Sequence, residues 1–148
     1  MRSELHEPMH APFEHIFDLA ADVERWPERL PHYRYVRRLP GRNGERHFAM
    51  GARRGRIPVR WEAIQRPMRD ERRIEFMHTG GLTKGMWVAW RFSEAPDGTV
   101  DVCIEHRLDL GWPLIGSLVA RRIIGPAFIE PIARRTLRRV RLLAEGAR

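Results

Sequence analysis

Two histidines are the side chains best placed to do chemistry, because each interrupts an apolar alternation. His78 follows Ile74 and Phe76 at a spacing of two, and His106 lies between Ile104 and Leu108 at the same spacing. That period puts each imidazole on the inward face of a strand. A polar group left there without a partner costs about 1–3 kcal/mol. Each ring is therefore either hydrogen-bonded in the core or at the sheet margin, or it lines a cavity. On a cavity wall it can orient a ligand oxygen or act as a general acid or base. No spaced carboxylate, third histidine or His-Glu-x-x-His run accompanies the pair, so no metal and no other cofactor is expected.

Covalent chemistry has little support. Lys84 lies in a glycine-flanked loop, Cys103 alternates onto the face read as wet, and no serine occupies a nucleophile elbow. Tryptophans 26, 61, 87, 90 and 112 can each be core packing. With Trp26, Trp61 and Trp90 on faces read as inward, the set also suits a site for a flat or extended apolar ligand.

A series of short elements must hold these groups. Glu4 to His10 reads as an edge strand, since Pro8 is tolerable only there. Ala11-Pro12 opens a short helix with Phe13, Ile16, Phe17 and Ala20 on one face, and Asp22 can cap a second turn, Val23 to Leu30. Strands follow at Tyr33–Leu39, at Arg46–Arg53, and over Ile57, Val59, Trp61 and Ala63. The next are Ile74–His78, Met86–Phe92 and Val100–Leu110, with Pro40-Gly41-Arg42-Asn43-Gly44 and Pro96-Asp97-Gly98 as turns. Gly51 and Gly55 permit a twist or bulge. Pro113 to about Ala144 reads as one long helix with Pro126 and Pro131 inside it, each expected to bend the axis. Alternating strands on short turns imply an antiparallel sheet, and the whole is an α+β chain with one domain, residues 1–148.

Composition narrows the partners. The net charge is +8 and the pI near 11.1, but Lys84 is the single lysine and the arginines are mixed with Asp and Glu. That mixture argues against a dedicated nucleic-acid surface. Arg134, Arg135, Arg138, Arg139 and Arg141 concentrate on the last helix, where a solvated face is the default and contact with an anionic membrane, acidic partner or RNA the alternative. The start, Met1 to His10, is charged and broken by Pro8, so no signal peptide is expected. A lone Cys103 excludes a disulfide framework and points to the cytoplasm.

The run IFDLAADVERWPERLPHYRYV after a strand ending in HAP, and GMWVAWRF followed by DGTVDVCIEHRL, resemble the SRPBCC or START-like superfamily. The nearest branch holds polyketide cyclases/aromatases and coenzyme Q-binding-like proteins. The resemblance implies a helix-grip fold: a curved antiparallel sheet of about seven strands wrapped round a long C-terminal helix, with two short helices after the first strand. It also implies a hydrophobic ligand cavity. By position, Trp26 and Tyr33 match aromatic residues at the pocket end of the short helices, and Trp90 a pocket tryptophan on a central strand. Cyclases of this branch carry an inward serine and arginine two residues apart on the third sheet strand. Here those positions fall on Ile64 and Arg66, or on Ala63 and Gln65 if Trp61 faces inward, and neither register has the serine. The candidate site is thus Trp26, Tyr33, Trp61, Gln65, His78, Trp90 and His106, with His106, His78, Tyr33 and Arg66 as candidate catalytic groups.

Overall fold

The computed structural model describes residues 1–81, 83–108 and 119–146. Strand β1 is Arg2–Met9; helices α1, Phe13–Ala21, and α2, Trp26–Arg29, follow, joined by a 3₁₀ turn at Val23–Arg25. Six strands come next: β2 Tyr33–Leu39, β3 Arg46–Arg54, β4 Ile57–Met68, β5 Arg73–Gly81, β6 Trp87–Glu94 and β7 Val100–Arg107. They form one antiparallel sheet in the order β1-β7-β6-β5-β4-β3-β2. Consecutive strands pair as hairpins, and only β1 crosses over, to lie beside β7.

Burial follows the expected alternation on the inner face. Ile74, Phe76 and His78 of β5 are buried while Met77 is 44% exposed. In β4 the buried pair is Ala63 and Gln65, whereas Arg66 is exposed. The register that keeps Trp61 inward is therefore the one adopted. A bulge between Glu62 and Ala63 shifts the β4–β5 pairing and sets Trp61 opposite Gly81. Gly81 has φ +93°, and a Cβ there would lie 2.5 Å from the Arg60 carbonyl oxygen, so glycine alone fits this bend.

Two side chains of β7 correct the sequence reading. Cys103 and Glu105 alternate onto the outer face but are 4% and 0% exposed. The reason is position: β7 lies between β1 and β6, and long arginines from its neighbours overlay its shorter outward side chains. Arg2 reaches Glu105 at 2.6 Å, Arg107 at 3.4 Å and Arg91 at 3.9 Å.

The C-terminal helix is also wound differently from expectation. Pro113 lies outside the described residues. Ala120–Ile129 is π-helical, with the Glu130 amide donating to the Gly125 carbonyl five residues back. The regular helix α3 then runs over Glu130–Ala144. In an α-helix the Pro126 ring would collide with the carbonyl four residues back, at a cost of about 3 kcal/mol or more; the wider π winding relieves this. Pro131 needs no kink because it occupies the first turn of α3.

Helix α3 buries Ile132, Ala133, Leu137 and Val140 and packs against β1, β3 and α1. Two of its arginines are internal ties. Arg139 Nε donates to the Arg29 carbonyl at 2.9 Å, and Arg141 Nε lies 3.0 Å from Glu7 Oε1. Both are only partly exposed, so the basic face expected from five arginines narrows to Arg134, Arg135 and Arg138. Among the described residues, no helix is long and apolar enough to cross a membrane.

Leu137 is 2% exposed at the centre of this contact. Leu137→Ala should lower the free energy of unfolding by about 2–5 kcal/mol in a urea titration. Ile57→Ala, at a position 54% exposed, should stay within about 0.5 kcal/mol of the wild type.

Candidate ligand-binding site

Sheet, α2 and the C-terminal helix enclose a cavity of about 90 Å³. Its far end is an aromatic stack built on α2. Trp26 is fixed by its indole N–H, which donates to the Leu19 carbonyl at 3.0 Å. Tyr33, at the start of β2, meets it edge-on with ring centres 4.9 Å apart, and Trp61 of β4 meets Tyr33 edge-on at 5.9 Å. Trp90 of β6 lies 6.0 Å from Trp26. Such pairs add about 0.5–1.5 kcal/mol each beyond the area they bury, and they stiffen the wall.

Both histidines line the cavity, and each is under 9% exposed. The His78 ring is parallel to Trp61, with centres 5.9 Å apart, and its Nδ1 lies 2.8 Å from the Thr83 hydroxyl. His106 neighbours Val88 on β6 and Ser3 on β1. Its Nδ1 is buried and, among the described residues, has no hydrogen-bond partner. The Ser3 hydroxyl donates to Glu130 Oε1 at 3.4 Å.

Burial sets the charge state of these rings. It pushes His106 down to about 4, and burial followed by repulsion from His106 pushes His78 down to about 3. Both are therefore neutral near pH 7. The Tyr33 phenol is driven above its ordinary value by burial, against a hydrogen bond to Thr136. No Asp, Glu, Lys or Arg lies among the described lining residues.

The cavity brings together Trp26, Tyr33, Trp61, His78, Trp90 and His106. It leaves out two expected members. Gln65 is buried, but its amide nitrogen donates to the Ala21 carbonyl at 2.9 Å and its oxygen accepts from Arg46 at 2.7 Å. It ties β4 to the end of α1. Arg66 points to the opposite, exposed face, one residue out of phase with Gln65. Trp112 lies outside the described residues.

Two polar members went unrecognised in the sequence. Thr83 is buried in the turn after β5, five residues beyond the histidine it contacts. Thr136 sits in the apolar stripe of α3; its hydroxyl donates to the Ile132 carbonyl at 2.8 Å and accepts from His32 Nε2 at 2.9 Å. A hydroxyl inside an apolar helical stripe was the available signal for it. Metal-capable side chains do not gather here. Among the described residues the grouping of three that could hold an ion is Glu4, His6 and Cys103, on the outer face of the sheet.

Residues 9–137 match the family described as polyketide cyclase / dehydrase and lipid transport. The chain belongs to that family. No curated protein matches it. Among solved structures it is similar to the Zhui aromatase/cyclase from Streptomyces sp. R1128, at 15% identity and TM-score 0.81 over 100% of this chain and 99% of that one. The di-domain ARO/CYC StfQ of the steffimycin biosynthetic pathway matches at 22% identity and TM-score 0.74, over 97% of this chain. This chain spans 44% of the length of StfQ. A START superfamily protein from Mycobacterium smegmatis matches at 16% identity and TM-score 0.72, over 96% of this chain and 98% of that one. At these identities the likeness establishes the helix-grip fold.

The two cavity histidines give stability a pH signature. Unfolded, each histidine titrates near 6.5; folded, His78 and His106 resist protonation down to about 3 and 4. Below pH 6.5 the unfolded chain binds protons that the folded one refuses, so stability falls as pH drops. At pH 5 the loss is about 2 kcal/mol for each ring. Denaturant titrations at pH 7 and pH 5 should show it, and His106→Leu should remove about half of the pair's combined contribution.

Proposed function

We propose that this chain binds an uncharged, hydrophobic, ring-bearing small molecule in the cavity, a polyketide-, quinone- or lipid-like compound, and carries it without transforming it. One observation supports this reading above the others: a buried imidazole nitrogen, His106 Nδ1, without a partner among the described residues, in a largely apolar, aromatic wall. A ligand hydroxyl or carbonyl would satisfy that nitrogen in the tautomer that suits it. A ligand charge would find no counter-ion among the described lining residues and would cost far more than a neutral group.

The same electrostatics argue against proton transfer. A general base works best with a pKa near the working pH, and rings held at about 3 and 4 are weak bases at pH 7. Among the described residues no carboxylate is hydrogen-bonded to His106, and the serine expected of the cyclase branch is absent. The cavity is smaller than the roughly 300–1,000 Å³ of ordinary ligand clefts, so a ligand larger than one ring must displace side chains. Met50 and Met86 line it and are the wall's most adaptable members.

Binding can be followed by quenching of tryptophan emission with an apolar fluorescent probe, then with a quinone or poly-β-ketone. Trp90→Ala should weaken binding more than Trp87→Ala, because Trp87 lies on the outer face against Arg73 and Arg107. Equal effects would count against the cavity. For the anchor, His106→Gln should keep most of the affinity and His106→Leu lose about 1–2 kcal/mol. A Gln variant that binds like wild type yet loses turnover by about 10²–10⁴-fold would instead make His106 a general base and the protein an enzyme.

A further inference from the structure

The outer face of β1 and β7 carries a second constellation that the cavity does not use. Glu4 and His6 are two residues apart on β1, so both project outward, and Cys103 is the cross-strand partner of His6. His6 Nε2 lies 3.2 Å from Glu4 Oε1, and Cys103 Sγ lies 3.5 Å from the same oxygen. All three donor atoms are within 4.8 Å of one another.

We propose that Glu4, His6 and Cys103 form a binding site for a divalent zinc-like cation, with further coordination open to solvent. The sequence reading expected no metal, because Cys103 is 99 residues from Glu4 and no spacing motif announces the set. The argument is geometric. Zinc bonds of about 2.0–2.1 Å to nitrogen, 2.0–2.2 Å to oxygen and 2.3 Å to sulfur, in a tetrahedron, set the donors about 3.4 Å (N to O) and 3.6 Å (S to O) apart. Two of the three edges here are within about 0.2 Å of those lengths. The third edge, His6 to Cys103, is at most 4.8 Å.

A second feature fits the same chemistry. Asp101 Oδ2 holds His6 Nδ1 at 2.8 Å, which directs Nε2 toward Glu4 and Cys103. A carboxylate on the far nitrogen is the usual partner of a metal-bound histidine, fixing its tautomer and raising its basicity. Two arginines oppose an entering cation and have to give way. Arg2 Nη2 lies 3.6 Å from Glu4 Oε2. Arg91 inserts its guanidinium beside the site, 3.2 Å from Glu4 Oε1 and 3.7 Å from Cys103 Sγ. An entering cation would take over the contact with Glu4, and Arg91 can turn toward Glu105, already 3.9 Å away. Cys103 would bind as the thiolate, its proton passing to solvent.

Cobalt(II) is the probe, because thiolate ligation gives a near-ultraviolet charge-transfer band. Cys103 is the chain's only cysteine, so such a band can come from no other residue. The proposal expects a 1:1 cobalt complex with that band, displaced by one equivalent of zinc. Cys103→Ser should abolish the band. His6→Ala, at a half-exposed position that should not disturb folding, should weaken affinity by at least about tenfold, and Asp101→Asn by about 10–100-fold. Absence of the band in the folded wild type, or a band with unchanged affinity in His6→Ala, overturns the site and leaves a hydrogen-bonded cluster that merely holds the edge strand.

Discussion

The register of β7 is the constraint on which the rest depends. Its residues alternate so that Val100, Val102, Ile104 and His106 face the helix while Asp101, Cys103, Glu105 and Arg107 face away. A slip of one residue would carry Glu105 and Arg107 into the core, and an unpaired buried charge costs several kcal/mol. In the native register the same carboxylate meets Arg2, Arg91 and Arg107 outside. Burial alone would raise the Glu105 pKa, but Arg2, Arg107 and Arg91 together hold it below its ordinary value. Because β7 pairs with both β1 and β6, its register propagates outward and fixes which faces of β6 and β5 enclose the cavity.

What the cavity can do follows from how apolar its wall is. Two imidazoles, aromatic rings and aliphatic side chains offer hydrogen bonds but no fixed charge among the described lining residues. Burial keeps both rings neutral, which suits them to recognise an oxygen and handicaps them as bases. Recognition and proton transfer thus make opposite demands on the same burial, and the proposed carrier role rests on the first.

The fold was legible because its signals are local. Strict alternation located β2 to β7 within a few residues, and the turn residues set their ends. The inward side of β4 was legible too, since Trp61, Ala63 and Gln65 share one phase. Winding of the last helix was not: a proline announces a missing hydrogen bond, but whether the chain kinks or widens into a π turn depends on the surface beneath. Gln65 shows a second limit. Alternation says that it points inward, not that the carbonyl at the end of α1 reaches it before any ligand does. The partial burial of Arg139 and Arg141 has the same origin, since a helical wheel cannot show a carbonyl or carboxylate arriving from another element.

The two faces of β7 illustrate why position in the sheet matters as much as alternation. An outward residue on an edge strand is wet, as His6 is; one on an inner strand lies beneath the long side chains of its neighbours, as Cys103 does. Bringing β1 alongside β7 therefore mixes accessible and sheltered donors in one patch, with a nitrogen and an oxygen at the rim and a sulfur beneath. Among the described residues, crossover of β1 is the only non-sequential pairing in the sheet. It sets Ser3 beside His106 on the inside and gathers Glu4, His6 and Cys103 on the outside. Neither grouping exists in any hairpin of the chain, so both depend on the longest-range contact of the sheet, and loss of β1 pairing would dissolve them together.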